Sequence, residues 1–199
     1  MQPRQLSELK RALAKVVLAE GHLRVDQPVK LASGDWSRDY IDGKRAFARG
    51  SNLRLACEAL LQLAQEEGWD FDAVGGLTLG ADQFSHTMAV LSDKSWFVVR
   101  KKEKDHGTRK RIEGADLRDG VRVLLVDDVV TRGGSILDAY NAVVATGASV
   151  TGVTALADRG PATGTIFKDL GVPYRPLLTY ADLDIMPVGV GRGDAQATG

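Results

Sequence analysis

Val123-Leu-Leu-Val-Asp-Asp-Val-Val-Thr-Arg-Gly-Gly-Ser-Ile136 decides how this chain is read. It opens with a short apolar run of the kind that forms a buried strand in a parallel sheet. Asp127 and Asp128 stand where that strand is expected to end. A turn of small and hydroxyl residues, Thr131 to Ser135, then feeds an amphipathic helix from Ile136 to about Ala145. In open α/β sheets ligands bind at the carboxyl ends of the strands. A Gly/Ser/Thr turn entering a helix offers an anion unpaired backbone N–H groups and the positive end of a helix dipole. Carboxylates beside such a turn suit hydroxyl groups or a hydrated Mg²⁺ rather than the phosphate itself. Phosphate at one end and polyol or metal at the other describes a sugar phosphate. The competing reading is an ordinary strand-turn-helix with two surface aspartates, and the unbroken order of apolar run, acidic pair, Thr131 and Gly-Gly-Ser weighs against it.

Outward from this stretch the chain alternates strand and helix. Apolar positions at helical spacing (Leu6, Leu9, Leu13, Val16, Val17) predict a helix from about Gln5 to Glu20, stopped by Gly21. His22 to Tyr40 reads as strand and turn, and Ser51 or Asn52 can cap a second helix reaching about Glu67. Strands are then expected near Phe71–Gly75, Ser95–Arg100, Ser149–Ala157 and Tyr174–Leu178, with helices near Asp82–Leu91 and Thr163–Leu170. Such interleaving predicts the α/β class: a doubly wound, mostly parallel sheet flanked by helices. Residues 1–186 read as one domain whose first 45 or so form a small N-terminal hood over the sheet's carboxyl edge. The Gly-rich tail, 187–199, is expected to be disordered.

Composition narrows the function classes. The 199 residues suffice for one substantial core. Lys plus Arg equals Asp plus Glu at 26 each, so overall charge argues for neither nucleic acid nor an anionic membrane. Cys57 is the single cysteine and fits a small core residue in a reducing compartment. No apolar run is long enough to span a bilayer and no signal-peptide pattern opens the chain, so a cytoplasmic location is expected.

Four further segments carry candidate chemistry. Arg100-Lys-Lys-Glu-Lys-Asp-His-Gly-Thr-Arg-Lys-Arg111 has seven Lys or Arg in twelve residues and no apolar anchor. It reads as a solvated surface loop or as a mobile lid supplying cations to a polyanion. No aromatic residue interleaves it for base stacking on a nucleic acid. Val74-Gly-Gly-Leu-Thr-Leu-Gly-Ala-Asp82 ends a strand in a glycine-rich turn, which serves either to close backbone N–H groups on an anion or simply to turn the chain. Ala157-Asp-Arg159 places an arginine at a strand's carboxyl end, where it can fork onto a carboxylate or make a surface ion pair. Leu31-Ala-Ser-Gly34, Tyr40 and Asp42 lie in the expected hood, and Tyr40 suits either stacking on a base or a half-buried core.

The central stretch resembles the 5-phosphoribosyl-1-diphosphate (PRPP) signature of the type I phosphoribosyltransferases. The order Arg-Lys-x-x-Lys-x-His-Gly in the basic segment resembles the catalytic loop of the orotate phosphoribosyltransferases. Together the similarities run from about Leu31 to Leu183. They imply transfer of the phosphoribosyl group of PRPP to orotate, giving orotidine 5′-monophosphate and diphosphate in pyrimidine (UMP) biosynthesis. The implied PRPP site comprises Asp127, Asp128, Val129, Val130, Thr131, Arg132, Gly133, Gly134 and Ser135, joined by Arg100, Lys101, Lys104 and His106 from the loop. Asp127, Asp128, Lys104 and His106 are the implied catalytic groups, and Thr78, Leu79 and Gly80 the diphosphate turn. Arg159, Thr131 and Tyr40 would meet the orotate. Mg²⁺ is implied as cofactor, bridging diphosphate and ribose through substrate oxygens and water, with no direct protein ligand assigned. A homodimer sharing the 100–111 loop between subunits is implied as well. The chain departs from the family's common residues at Ala32, at Asp39, at Gly134 and near Gly80, where a lysine is frequent. A phosphoribosyltransferase for another base and a non-catalytic PRPP-binding regulator remain alternative readings.

Overall fold

The computed structural model describes residues 5–31, 33–102 and 111–188. Helix α1 (Leu6–Val16) buries Leu6, Leu9 and Leu13 and runs on as a single π-helical turn, Val17–Gly21. Gly21 matters for close approach: a Cβ there would lie 2.7 Å from the Ala46 Cβ. Strands β1 (His22–Lys30) and β2 (Trp36–Ile41) form an antiparallel hairpin with a register shift between Arg24 and Val29. The short helix α2 (Gly43–Ala46) follows, its first turn capped by Asp42 Oδ1 accepting from Arg45 N at 3.0 Å.

Helix α3 (Gly50–Glu66) starts earlier than the capping residues predicted. Arg49 occupies the cap position, and the Asn52 side chain donates instead to the Ala46 carbonyl, tying α3 to the hood. Then come β3 (Ala73–Leu77), α4 (Asp82–Ser92), β4 (Ser95–Val99), β5 (Ile112–Gly114), β6 (Arg122–Val130), α5 (Gly134–Val144), β7 (Ser149–Asp158), α6 (Ala162–Asp169) and β8 (Leu178–Thr179). The main sheet has the order β5-β4-β3-β6-β7-β8 and is parallel except for the β4–β5 pair. The doubly wound α/β architecture is therefore as the sequence predicts.

The continuous apolar run of β6 has a direct cause. Leu124 and Val126 pack into one core with α1, α3 and α4, while Val123 and Leu125 pack into the other with α5 and α6. A parallel strand covered on both faces cannot alternate with polar residues. Each fully buried leucine here contributes about 1.5–3 kcal/mol. Cys57 is buried against α4, and burial pushes its thiol up to about 12, which leaves it a core side chain without thiolate chemistry.

Three sequence expectations need correction. Strand β6 does not end at the acidic pair but pairs with β7 as far as Val130. The strand expected over 174–178 reduces to a single bridge, Tyr174 to Val153, and the two-residue β8, although Arg175 and Leu177 still donate their N–H groups to the Val153 and Ala155 carbonyls of β7. The strand expected near Phe71–Gly75 does not end at Gly75 but runs on to Leu77, which takes Gly75 and Gly76 out of the turn. They lie in β3, where Cβ atoms would meet the Phe97 carbonyl at 2.3 Å and the Val126 carbonyl at 2.1 Å. Past the expected domain end, Val188 is buried and donates its N–H to the Arg159 carbonyl at 2.8 Å, and 189–199 lie outside the described residues. Among the described residues no helix is long and apolar enough to cross a membrane.

Candidate functional site

A cavity of about 890 Å³ lies between the hood and the carboxyl ends of β3, β6 and β7. The parallel strands deliver their turns to this edge, and β1–β2 with α2 roof it.

The acidic pair forms its floor. Asp127 is almost wholly buried, and its Oδ1 accepts the Asp128 N–H at 2.9 Å. Asp128 turns its Oδ1 to the Val129 N–H at 2.7 Å and its Oδ2 to Lys44 Nζ at 3.1 Å. Burial, reinforced by the neighbouring Asp128 charge, raises the Asp127 carboxyl well above the usual carboxylate range. Lys44 keeps its charge firmly: partial burial opposes it, but the Asp128 carboxylate outweighs that effect and raises its pKa.

The Gly-Gly-Ser turn follows. Gly133 takes the left-handed conformation (φ 72°) that starts α5, and its carbonyl accepts the Leu137 N–H. Val129, Thr131 and Ser135 border the cavity together with the acidic pair, whereas Val130 turns into the core beneath. The Arg132 side chain leaves the turn for the hood, where Nε lies 2.8 Å from Asp35 Oδ2 and Nη2 2.5 Å from Asp35 Oδ1. A Cβ at Gly134 would meet nothing within 4 Å, so glycine there answers no packing demand.

Across the cavity, Thr78, Leu79 and Gly80 form the second turn. The Thr78–Leu79 peptide is cis, and Thr78 Oγ1 donates to Asp82 Oδ2 at 2.7 Å. Gly80 packs against the acidic pair so closely that a Cβ would lie 2.6 Å from Asp127 Oδ1 and 2.7 Å from Asp128 Oδ1. The two turns and the carboxylates thus form one tightly packed unit.

The basic segment is anchored at both roots. Arg100 N donates to the Arg111 carbonyl, and the Arg111 guanidinium returns to the Arg100 carbonyl and reaches Asp138 of α5 at 2.7 Å. Arg100, Lys101 and Lys102 border the cavity. Lys104 and His106 lie outside the described residues.

Arg159 closes the wall at the end of β7. It is 2 % exposed, which removes the surface ion-pair reading, and its Nη2 donates to Ser37 Oγ at 3.0 Å. Nε has no hydrogen-bond partner among the described residues. Burial weakens the guanidinium's hold on its proton, and the Asp39 carboxylate partly offsets this. Arg159 borders the cavity, and a buried cation with an unmatched donor suits a carboxylate beside it. Tyr40 stands half-exposed at the mouth.

Sequence reading missed Lys44, which borders the cavity, and Asp35 and Ser37, which do not border it but bond Arg132 and Arg159. Lys44 contacts a carboxylate 84 positions away and Ser37 a guanidinium 122 positions away, and no local pattern marks such pairs. Among the described residues no group of three or more His, Cys, Asp or Glu side chains converges as a metal site.

No family model matches the chain. It is 36% identical over 175 residues to the orotate phosphoribosyltransferase of Pyrococcus furiosus, covering 88% of this chain and 95% of that one. With the Corynebacterium glutamicum orotate phosphoribosyltransferase it shares 42% identity over 159 residues, 79% of this chain and 85% of the relative. The crystal structure of Mycobacterium tuberculosis orotate phosphoribosyltransferase in complex with PRPP superposes with a TM-score of 0.72 at 32% identity, covering 89% of this chain and 99% of that one. The architecture is the type I phosphoribosyltransferase fold. On sequence and fold alike, this chain belongs to the orotate phosphoribosyltransferase family.

Proposed function

We propose that this protein transfers the 5-phosphoribosyl group of PRPP to orotate, releasing diphosphate and forming orotidine 5′-monophosphate, a step of pyrimidine biosynthesis. The observation that carries the proposal is Arg159: a buried guanidinium with an unpartnered Nε faces the same cavity as the acidic pair and the phosphate turn. Orotate is a base with a carboxylate, and a bidentate fork onto it would select it over carboxylate-free bases.

In the reaction the bond from the anomeric carbon to the diphosphate oxygen breaks, and a bond from that carbon to a ring nitrogen of orotate forms. The transition state carries oxocarbenium-like charge, as in other glycosyl chemistry. Protein groups therefore act by position and charge rather than by covalent attack. The backbone and hydroxyls of Thr131 to Ser135 receive the 5′-phosphate at the start of α5, where the dipole favours an anion. Asp127 and Asp128 accept from the ribose hydroxyls and favour the developing positive ring. Thr78, Leu79 and Gly80 present the opposite wall to the diphosphate. Arg100, Lys101, Lys104 and His106 cover the departing diphosphate, with Lys104 and His106 offsetting its charge or giving it a proton. Thr131 and Tyr40 flank the base.

The carboxylate donors suit a hard cation held partly through water. Mg²⁺, bound with PRPP, would supply charge neutralisation at the diphosphate. We further infer a cytoplasmic homodimer in which the 100–111 loop of one subunit serves its neighbour, an expectation that rests on the family resemblance. Residues 1–186 act as one phosphoribosyltransferase domain.

The test is to mix protein, PRPP, Mg²⁺ and orotate and to follow orotate absorbance. Mg²⁺-dependent loss, absent with uracil or hypoxanthine as acceptor, supports the proposal. Turnover of another base, or saturable PRPP binding without turnover of any base, would contradict it.

A further inference from the structure

The guanidinium at the end of β7 is held from behind by the hood. Strand β2 alternates strictly, with Trp36, Arg38 and Tyr40 exposed and Ser37, Asp39 and Ile41 buried. The inward set therefore puts two polar residues where a hairpin over an apolar core would bury aliphatic side chains. Both are engaged. Ser37 Oγ accepts from Arg159 Nη2 at 3.0 Å and from the Asp39 backbone N–H at 3.1 Å, filling both acceptor positions of one hydroxyl. The Asp39 carboxylate, 3 % exposed, lies 2.9 Å from His22 Nε2 and 3.9 Å from Arg24 Nη1, both on β1. Neither Ser37 nor Asp39 borders the cavity, whereas Arg159 does. Ser37 therefore bonds the arginine away from the cavity, and Asp39 acts on it through charge rather than contact.

A guanidinium is a rigid planar fork, so fixing one terminal nitrogen fixes the plane in which the others point. With Nη2 committed to Ser37, the unpartnered Nε is left on the same rigid plane. We infer that Ser37 and Asp39 are positioning residues that set the plane of the Arg159 fork for the carboxylate of the base, so that the hood hairpin helps to determine base specificity. The inference rests on reading Arg159 as the carboxylate-binding group. Asp39 adds the charge that a buried cation needs while the base is absent, and His22 with Arg24 keeps that carboxylate in place.

Four variants decide the matter: Ser37→Ala, Ser37→Thr, Asp39→Asn and, as reference, Arg159→Ala. For each, KM and kcat with orotate are measured, along with the PRPP dissociation constant by calorimetry and the melting temperature. Ser37→Ala is expected to raise the orotate KM about tenfold and to leave PRPP affinity within about twofold. Asp39→Asn should act in the same direction, and Ser37→Thr, which keeps the hydroxyl, should restore wild-type behaviour. An orotate KM unchanged in Ser37→Ala and Asp39→Asn, with orotate use lost in Arg159→Ala, overturns the inference and leaves the role of Arg159 standing. Orotate use retained in Arg159→Ala removes that role and the inference with it. A parallel fall of PRPP affinity, kcat and melting temperature in Ser37→Ala and Asp39→Asn would mean that the pair merely holds the hood together, and would also overturn it.

Discussion

Lys44 Nζ lies 3.1 Å from Asp128 Oδ2, so the hood brings a cation to a carboxylate on the sheet's central strand. Lys44 borders the cavity, and the glycine before it lets α2 press on β6: a Gly43 Cβ would lie 3.3 Å from the Asp128 Cβ. Its side chain is more than half exposed, so the pair adds little to stability. Its expected contribution is to binding an anionic substrate. Lys44→Ala should raise the KM for PRPP by about tenfold while the melting temperature moves by no more than about 2 °C. Initial rates against PRPP concentration check this, and an unchanged KM would remove Lys44 from the site.

Asp127 predicts a trade between stability and activity. Its carboxyl has a raised pKa in the folded protein, owing to burial first and the Asp128 charge second. The folded state therefore holds this proton more tightly than the unfolded chain, and stability falls as pH rises from the ordinary carboxylate value toward the raised one. Asp127→Asn should abolish that fall, raising the melting temperature at neutral pH by a few degrees, with about 2–4 °C corresponding to each kcal/mol. The same variant should lose about 10²–10³ in kcat, by analogy with other groups that act on transition-state charge. Melting curves from pH 4 to pH 8 beside single-pH kinetics would show both effects, and a variant no more stable than wild type would contradict the assigned electrostatics.

Asp72 carries the opposite sign at the other end of the sheet. It accepts from the Arg122 guanidinium at 2.8 and 3.1 Å, and that partner holds its pKa down to about 2. Its contribution is present above the ordinary carboxylate pKa and is lost as pH falls toward 2. Asp72→Asn should therefore flatten the acid limb of the stability curve without changing kinetics at neutral pH. Acid titration followed by circular dichroism checks this, and an unaltered acid limb would contradict it.

Gly80 tests the packing of the two turns. A methyl group there would lie within 2.7 Å of both aspartates, and neither can retreat without breaking its bond to the backbone or to Lys44. Gly80→Ala should cost about 1–3 kcal/mol of overpacking, expressed largely as a ten- to hundredfold loss of kcat/KM for PRPP. Gly50→Ala, where a Cβ also meets nothing and which does not border the cavity, is the control and should leave kinetics near wild type. Equal behaviour of the two variants would contradict the packing argument.

The fold was legible where local pattern and tertiary role agree. The apolar run of β6, the glycine turn after it and the helical spacing of α3 and α5 each carry their own signal. Strand β5 carries none, being three residues long and held only by antiparallel pairing to β4. The end of β3 was not legible because glycine serves both turns and close strand contact, and only the nearness of Phe97 and Val126 puts Gly75 and Gly76 in the strand. In the candidate site, the strand-end residues Asp127, Asp128, Thr131 and Arg159 were readable from their place after apolar runs. Ser37, Asp35 and Lys44 were not, because their role arises when the β1–β2 hairpin folds over the sheet and meets residues about a hundred positions on.

The measurement that bears most directly on the site is Arg159→Ala, assayed for kcat/KM with orotate and, without base, for PRPP affinity by calorimetry. Loss of two hydrogen bonds to a charged group predicts a fall in kcat/KM for orotate of roughly 10²–10⁴, with PRPP affinity within about twofold of wild type. Retained kcat/KM for orotate, or PRPP affinity that falls in step with it, would contradict the assignment of Arg159 as the residue that reads the base.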